Sequence, residues 1–536
     1  MVNDETQVIF NKKYPLVKIF EVDDSLFAYD AKTNLLVTLS YDDLEQYVVD
    51  GYFKDNNPEI KGVFIPGGFS KLIPSESELP SLVKNQLDEF IPRKFALEIT
   101  EKCTLRCKYC FFSNENNSRK HSNFQMSLST AQKAINYYFQ LYTRSFDKFP
   151  HEYRRKLLKI APPNISWWGG EPLLNFDLIV ESKKYFEQLP WSKHGIELND
   201  LAYSIVTNFT VLNDLIINFL VSNKIYTFIS LDGEKEDNDL NRVFENGKGS
   251  YDIVIDNIDK LINKYPDYCK QYVIIQSVSA DNVEGYQGIN KIRKRFLANT
   301  PFAKVLKVTG YPQRNKNEYI SKPLFDRMCA ASIFAEFGKL LENISGLSVN
   351  DLKVLLNVNK ELRVEFEKLY SLGNDLIYDN PPSKDNCTKH FSCPAGVDNV
   401  FISQNGDIHI CNKTDYSFPF GNINNGPNVD NVIDIDSLVE FYSKFYHSIR
   451  FKCSNCWAAR FCNICPASLL NDAKFVSPTG SECEFVKQSS LIQLKKYIKL
   501  LSYDELFEKL ESIVVEEKNV NFLNYQGSIS YKNSIV

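Results

Sequence analysis

The sequence predicts an α/β protein built on a partial (β/α)6 barrel, with a small strand-rich domain before it and a cysteine-rich domain after it. Three observations predict this. Short apolar strands alternate with helix-length segments from Lys94 to about Leu341, as in a parallel sheet with helices outside. The 536 residues exceed what one hydrophobic core organises, so several domains are expected. The 13 cysteines are concentrated, three at 103–110 and eight at 387–483, as in loops gathered on metal.

Residues 1–92 come first. Short β-rich runs at 16–22, 25–29 and 35–39 are divided by Asp23-Asp24 and Lys32-Thr33-Asn34, and helical segments at 41–49 and 81–90 follow. This fits either a winged-helix-like module or an extension of the main sheet. The barrel, residues 93–345, opens with a strand at 95–100 that runs into the first cysteines. Strands at 165–168, 203–206, 226–231, 272–278 and 304–308 follow, with helices at 130–142, 176–189, 212–222 and 251–265 among them. Six units are too few for the eightfold barrel, so a partial barrel or open sheet is expected. Residues 346–386 read as a helical linker, with a helix at about 350–372. Residues 387–490 are poor in long periodic segments. A helical run at about 489–515 and a polar tail from Asn519 complete 491–536.

The net charge of −5, with both signs mixed along the chain, lacks the concentrated basic face of a nucleic-acid-binding protein. The N-terminus MVNDETQVIF has neither a basic n-region nor an apolar h-region, and no stretch approaches a membrane span. A cytoplasmic protein without a membrane partner is expected. Its cysteines then read as metal ligands rather than disulfides.

The loop after the first strand carries Cys103-x3-Cys107-x2-Cys110. Ligands of parallel sheets bind at the carboxyl ends of strands. Three thiolates hold three irons of a [4Fe–4S] cube and leave the fourth open; a zinc knot is the competing reading. Polar or glycine-rich segments end the later strands. Gly169-Gly170-Glu171-Pro172 follows the second, Thr207-Asn208 the third and Ser230-Leu231-Asp232-Gly233 the fourth, with Arg242 twelve residues beyond Ser230. Together these resemble the radical S-adenosylmethionine (radical SAM) family. The resemblance implies that the cofactor's amino and carboxylate groups chelate the open iron. It further implies that Gly169, Gly170 and Glu171 serve the amino group, Asn208 and Ser230 make polar contacts, Arg242 pairs with the carboxylate and Tyr109 packs beside adenine.

The later cysteines are Cys387, Cys393, Cys411, Cys453, Cys456, Cys462, Cys465 and Cys483. A zinc ribbon would use four and leave four without a task. Their order resembles the SPASM domain of peptide-modifying radical SAM enzymes. That resemblance implies two further [4Fe–4S] clusters, one on Cys387, Cys393, Cys411 and Cys465, the other on Cys453, Cys456, Cys462 and Cys483. The x2 gap before Cys465 departs from the usual x3.

The resemblance implies three clusters, S-adenosylmethionine, and an electron donor such as flavodoxin or ferredoxin. A 5′-deoxyadenosyl radical would take a hydrogen atom from a peptide substrate. Sulfatase-maturating relatives carry an aspartate base after the cysteine corresponding to Cys411. Here Asn412 stands there, and an amide accepts no proton at neutral pH. With a leader-binding module expected at 1–92, the layout resembles maturases of ribosomally made peptides that form thioethers. Carbon–carbon crosslinking and formylglycine formation stay open as alternatives. Of the remaining residues, Cys329 reads as a core thiol just before a helix, Cys269 as a surface-loop residue, and His409 as a strand residue rather than a ligand. Asp415 and Tyr416 are candidates for the substrate pocket.

Overall fold

In the computed structural model the first sheet is small and antiparallel: β1 (Val17–Val22), β2 (Ser25–Asp30) and β3 (Leu35–Leu39). The structure describes residues 15–40 apart from Thr33, 42, 73–89, 91–110, 112, 119–278, 304–308, 323–358, 363, 365–369, 399–412, 416–426, 432–471 apart from Asn463, and 473–513. The expected helix at 41–49 therefore lies outside the described residues. Helix α1 (Leu79–Glu89) follows.

The main sheet has eight strands. β4 (Lys94–Thr100), β5 (Asn164–Gly169), β6 (Ala202–Thr207), β7 (Tyr226–Ser230), β8 (Val273–Val278) and β9 (Lys304–Val308) lie side by side in chain order, all parallel. These are the six strands expected from the alternation. The helices between them are α2 (Leu128–Phe146), α3 (His151–Ile160), α4 (Phe176–Gln188), α5 (Asp214–Ser222), α6 (Lys235–Asn241), α7 (Tyr251–Lys264) and α8 (Pro266–Tyr272). Helix α2 shows why they form. The Ser127 hydroxyl accepts the Thr130 amide at 3.0 Å, capping a free helix end. Ala131, Ala134, Ile135, Tyr138 and Tyr142 then recur at helical spacing and are fully buried. Tyr138 stacks on Phe95 of β4, centroids 4.4 Å apart.

Two further strands extend this sheet beyond the predicted six. β10 (Asn399–Ile402) pairs parallel with β4, Asn399 opposite Lys94, and β11 (Ile408–His409) returns antiparallel. The cysteine-rich region thus contributes to the barrel sheet itself. It also contains α11 (Ile435–Cys453), a 19-residue helix, where long periodic segments were not expected. Its buried Leu438, Phe441, Tyr442, Phe445, Tyr446 and Ile449 make one apolar stripe. Between β9 and β10 lie α9 (Pro323–Ile344) and α10 (Val349–Val358); after α11 comes α12 (Gly480–Leu501). Cys329 falls inside α9 rather than before it.

The sheet's two faces differ. Ile165, Trp167, Ile205, Ile229 and Ile275 are fully buried against helices, while Ser166, Trp168, Ser204, Val206, Phe228 and Gln276 on the alternate face are half-buried. Period-two alternation places those six on one side. Parallel sheets are usually covered on both faces, so this inner face is the natural floor of a site.

Two apolar cores form among the described residues. The large one joins the sheet, its helices, α1 and α11. The second joins β1–β2 residues Phe20, Val22 and Tyr29 to Phe337 and Leu341 of α9, Leu352 of α10, Leu494 and Tyr497 of α12, and Trp457. Tyr29 packs edge-on to Trp457 and tilted against Phe461, at 6.5 and 4.9 Å. Arg460 donates to the Ala31 and Lys32 carbonyls. The strands and the helix of the N-terminal segment therefore serve different cores.

Cys269 corrects an expectation. Pro266 starts α8 instead of a loop, and Cys269 is fully buried in the large core. A proline costs nothing at a helix's first turn, where its missing N–H has no partner to lose.

Candidate cofactor and metal-binding site

The three-cysteine loop leaves β4 and is stitched to the segment after α6. The Arg106 amide donates to the Val243 carbonyl at 2.7 Å and the Lys108 amide to the Asn241 carbonyl at 3.1 Å. Leu105 also bridges Phe244. Cys110 closes a turn, its amide donating to the Cys107 carbonyl at 3.0 Å. None of the three is in a disulfide; Cys107 and Cys110 oppose ionisation of Cys103, and Cys110 opposes that of Cys107. Burial pushes the Cys103 and Cys107 thiols up to about 12. Without metal they stay protonated; a bound cation would ionise them.

Gly169 and Gly170 let β5 end against this loop. Gly169 has φ +142°, and a Cβ there would lie 2.2 Å from the Thr100 carbonyl oxygen; one on Gly170 would lie 2.4 Å from that of Lys102. The Glu171 amide donates to the Lys102 carbonyl at 2.8 Å. The Glu171 carboxylate, expected beside an ammonium, is fully buried and accepts from the Leu173 amide, the Thr207 hydroxyl and the Asn208 amide at 3.1, 2.8 and 2.7 Å. It ties the end of β5 to the end of β6. Burial pushes its carboxyl pKa up to about 7 against those three donors.

Asn208 reaches the loop directly, its Nδ2 3.5 Å from Cys103 Sγ and 3.1 Å from the Thr104 hydroxyl. Ser230 ends β7, and its hydroxyl accepts from Gln276 Nε2 at 3.3 Å. Arg242 Nε donates to Asp232 Oδ2 at 2.9 Å, and the Tyr109 phenol donates to the same oxygen. The Arg242 guanidinium lies 5.4 Å from the Tyr109 ring centroid, with Nη1 4.0 Å from Cys107 Sγ. Tyr109, Asn208, Arg242, Glu171 and the glycines thus converge on the cysteine loop. Asp232 was visible in its motif but had no predicted role, because its partners Tyr109 and Arg242 lie far off in sequence.

The later cysteines form a second locus. Cys453 ends α11, and the Cys456 amide donates to its carbonyl at 3.2 Å. Cys456 lies close enough to Cys462 and Cys483 for their charges to interact, so the structure gathers members of one expected quartet. Lys487 flanks Cys456 and Cys483. Of the other quartet, Cys411 is buried after β11 and Cys465 precedes a single helical turn; Cys387 and Cys393 lie outside the described residues, as does Asp415.

A buried polar strut links the two regions. Arg119 donates to Glu98 on the inner face of β4 and, at 2.7 Å, to the Asn412 main-chain carbonyl. Its guanidinium packs 4.5 and 4.7 Å from the ring centroids of Phe112 and Tyr416. His409, 1% exposed, stacks on Tyr416 with centroids 4.5 Å apart. Burial and the Arg119 charge push its imidazole down to about 3, so it is neutral. Complete burial raises the Glu98 carboxyl, against the pull of Arg119.

The donor set suits iron–sulfur ligation: soft thiols, buried or half-buried and none in a disulfide among the described residues. Among the described residues no three His, Cys, Asp or Glu side chains close on one metal ion.

Residues 97–285 match the radical SAM superfamily model, and residues 393–457 match that of the SPASM iron-sulfur cluster-binding domain. An uncharacterised protein of Methanocaldococcus jannaschii is 28% identical over 302 residues, 52% of this chain and 92% of that one. A cysteine-type anaerobic sulfatase-maturating enzyme of Clostridium novyi is 29% identical over 206 residues, 38% of this chain and 49% of the enzyme's length. Among solved structures, anSMEcpe with bound AdoMet superposes with TM-score 0.46 and 17% identity, covering 79% of this chain and 98% of that one. No described helix is long and apolar enough to cross a membrane.

Proposed function

From the premise that this chain is a radical SAM enzyme carrying a SPASM iron–sulfur domain, we propose that it crosslinks a ribosomally made precursor peptide, the bond formed being a thioether. When bound, a [4Fe–4S] cluster and S-adenosylmethionine supply the 5′-deoxyadenosyl radical that removes a substrate hydrogen atom. In this reading Cys103, Cys107 and Cys110 hold that cluster. Gly169, Gly170, Asn208, Ser230, Tyr109 and Arg242 line the adenosylmethionine pocket, and Glu171 fixes its floor. The two cysteine quartets would hold further clusters, which would supply an acceptor for the electron that crosslink formation releases. The electron donor is a small redox protein such as flavodoxin or ferredoxin, and the site of action is the cytoplasm.

One observation carries the reading: the hairpin leading to Cys411 belongs to the same sheet as the strand leading to Cys103. A peptide on the half-buried inner face would lie on a floor shared by the radical loop and the second cysteine region. Asn412 supports crosslinking over formylglycine formation, since its side chain is an amide and its carbonyl is held by Arg119. The similarity to a sulfatase-maturating enzyme keeps formylglycine formation as the second reading.

The test has two arms. Reduced, anaerobically reconstituted protein should convert S-adenosylmethionine to 5′-deoxyadenosine, and Cys107→Ala should abolish this. Co-expression with a small cysteine-containing peptide encoded beside the gene, once one is identified there, should yield a product lighter by two hydrogens per crosslink. An aldehyde mass signature instead would establish formylglycine formation.

A further inference from the structure

We propose that Asp232 is a positioning residue of the S-adenosylmethionine pocket, clamping the Tyr109 ring and the Arg242 guanidinium in one arrangement so that the outer guanidinium edge is offered to the ligand. The proposal rests on the radical SAM reading and adds a residue to it. Asp232 and Arg242 are 4% and 6% exposed, so their pairing is held in a low-dielectric setting where a charge-assisted hydrogen bond is strong. A single carboxylate oxygen, Oδ2, takes both the phenol proton of Tyr109 and the Nε proton of Arg242. Two consequences follow from the chemistry of the groups. The Tyr109 hydroxyl is turned to Asp232 and the Arg242 guanidinium lies over one ring face, which leaves the opposite face for contact. Arg242 spends its Nε on Asp232, which leaves Nη1, 4.0 Å from Cys107 Sγ, to meet a carboxylate beside the cysteine loop.

The backbone around the clamp is fixed from both sides. The Asp232 amide donates to Asn238 Oδ1 at 3.3 Å and the Arg242 amide to the Asn238 carbonyl at 2.8 Å. The Ser250 hydroxyl and amide both donate to the Arg242 carbonyl, at 2.9 and 3.1 Å. Asn238 and Ser250 are fully buried. Segment 241–243 is in turn bonded to the Arg106 and Lys108 amides of the cysteine loop. Asp232 therefore sets the side-chain orientation on a main chain that is already held.

The experiment compares full-length wild type, Asp232→Asn and Tyr109→Phe after anaerobic reconstitution. Iron content, S-adenosylmethionine affinity by equilibrium dialysis, and the change in the reduced cluster's EPR signal on adding S-adenosylmethionine are measured. Asp232→Asn should retain wild-type iron, bind at least about ten-fold more weakly, and show a reduced EPR response. Tyr109→Phe should weaken binding by roughly three-fold and add little in the Asp232→Asn background, since its phenol acts through that carboxylate. Wild-type affinity and EPR response in Asp232→Asn would overturn the proposal. So would loss of iron in that variant, which would make Asp232 a structural residue of the loop. A wild-type protein whose EPR signal ignores S-adenosylmethionine would instead overturn the radical SAM reading beneath it.

Discussion

Two buried acids carry the residue-scale consequences. Glu171 titrates at about 7 in the fold against an ordinary 4.5. The folded protein thus holds this proton more tightly than the unfolded chain does. The stabilising contribution is complete below pH 4.5 and lost as pH rises through 7. Iron-free protein should lose stability across that window, roughly 3 kcal/mol from this group, and Glu171→Gln should flatten the slope in urea titrations at stepped pH. Arg119 is the opposite case, a buried cation whose removal strands Glu98. Arg119→Met should cost about 3–5 kcal/mol, and adding Glu98→Gln should recover part of it. Arg119→Lys should recover little, because a single ammonium cannot reproduce the forked contacts to Glu98 and the Asn412 carbonyl. Chemical denaturation of the three variants reads all of this.

At the scale of elements, the end of β5 is the most constrained junction. Gly169→Ala places a Cβ 2.2 Å from the Thr100 carbonyl oxygen at φ +142°, so the ends of β4 and β5 must part. We expect at least about a ten-fold fall in 5′-deoxyadenosine formation, because a misplaced backbone costs catalysis steeply. Gly195→Ala is the control: φ is +73° but nothing lies within 4 Å, and about 1 kcal/mol of stability should be the whole effect. The six barrel strands were legible in the sequence because each is a short, apolar, β-branched or aromatic run between helical periods. β10 was not, since four residues carry no periodicity and their partner is remote, and of the two-residue β11 only His409 was read as a strand residue. Helix α11 was hidden by the cysteines at its end, which suggested loops. The cysteine loop and the nearness of Arg242 to it were legible through motif spacing. Asp232, Glu98 and Arg119 gain meaning only from contacts that no local pattern encodes.

At the scale of the whole molecule, two cores share the work. The N-terminal sheet is docked through Tyr29, fully buried against Trp457 and Phe461. Tyr29→Ala should destabilise that unit by about 3–5 kcal/mol, seen as hydrogen-exchange deprotection of α9 and α12 with the barrel strands unchanged. Full reconstitution should approach roughly twelve irons per chain; a value near four would leave only the radical loop occupied.

The pairing of β10 with β4 also bears on how the protein is made. β4 emerges early from the ribosome, yet its outer neighbour lies about 300 residues later, from Lys94 to Asn399. At synthesis rates of roughly 5–20 residues per second, that edge waits about 15–60 s for its partner. During this interval it is an open template for wrong strands. The long closure also makes this pairing a late step in folding. Chaperone demand during translation should therefore peak before residue 399 is exposed, and a chain truncated ahead of β10 should aggregate through β4.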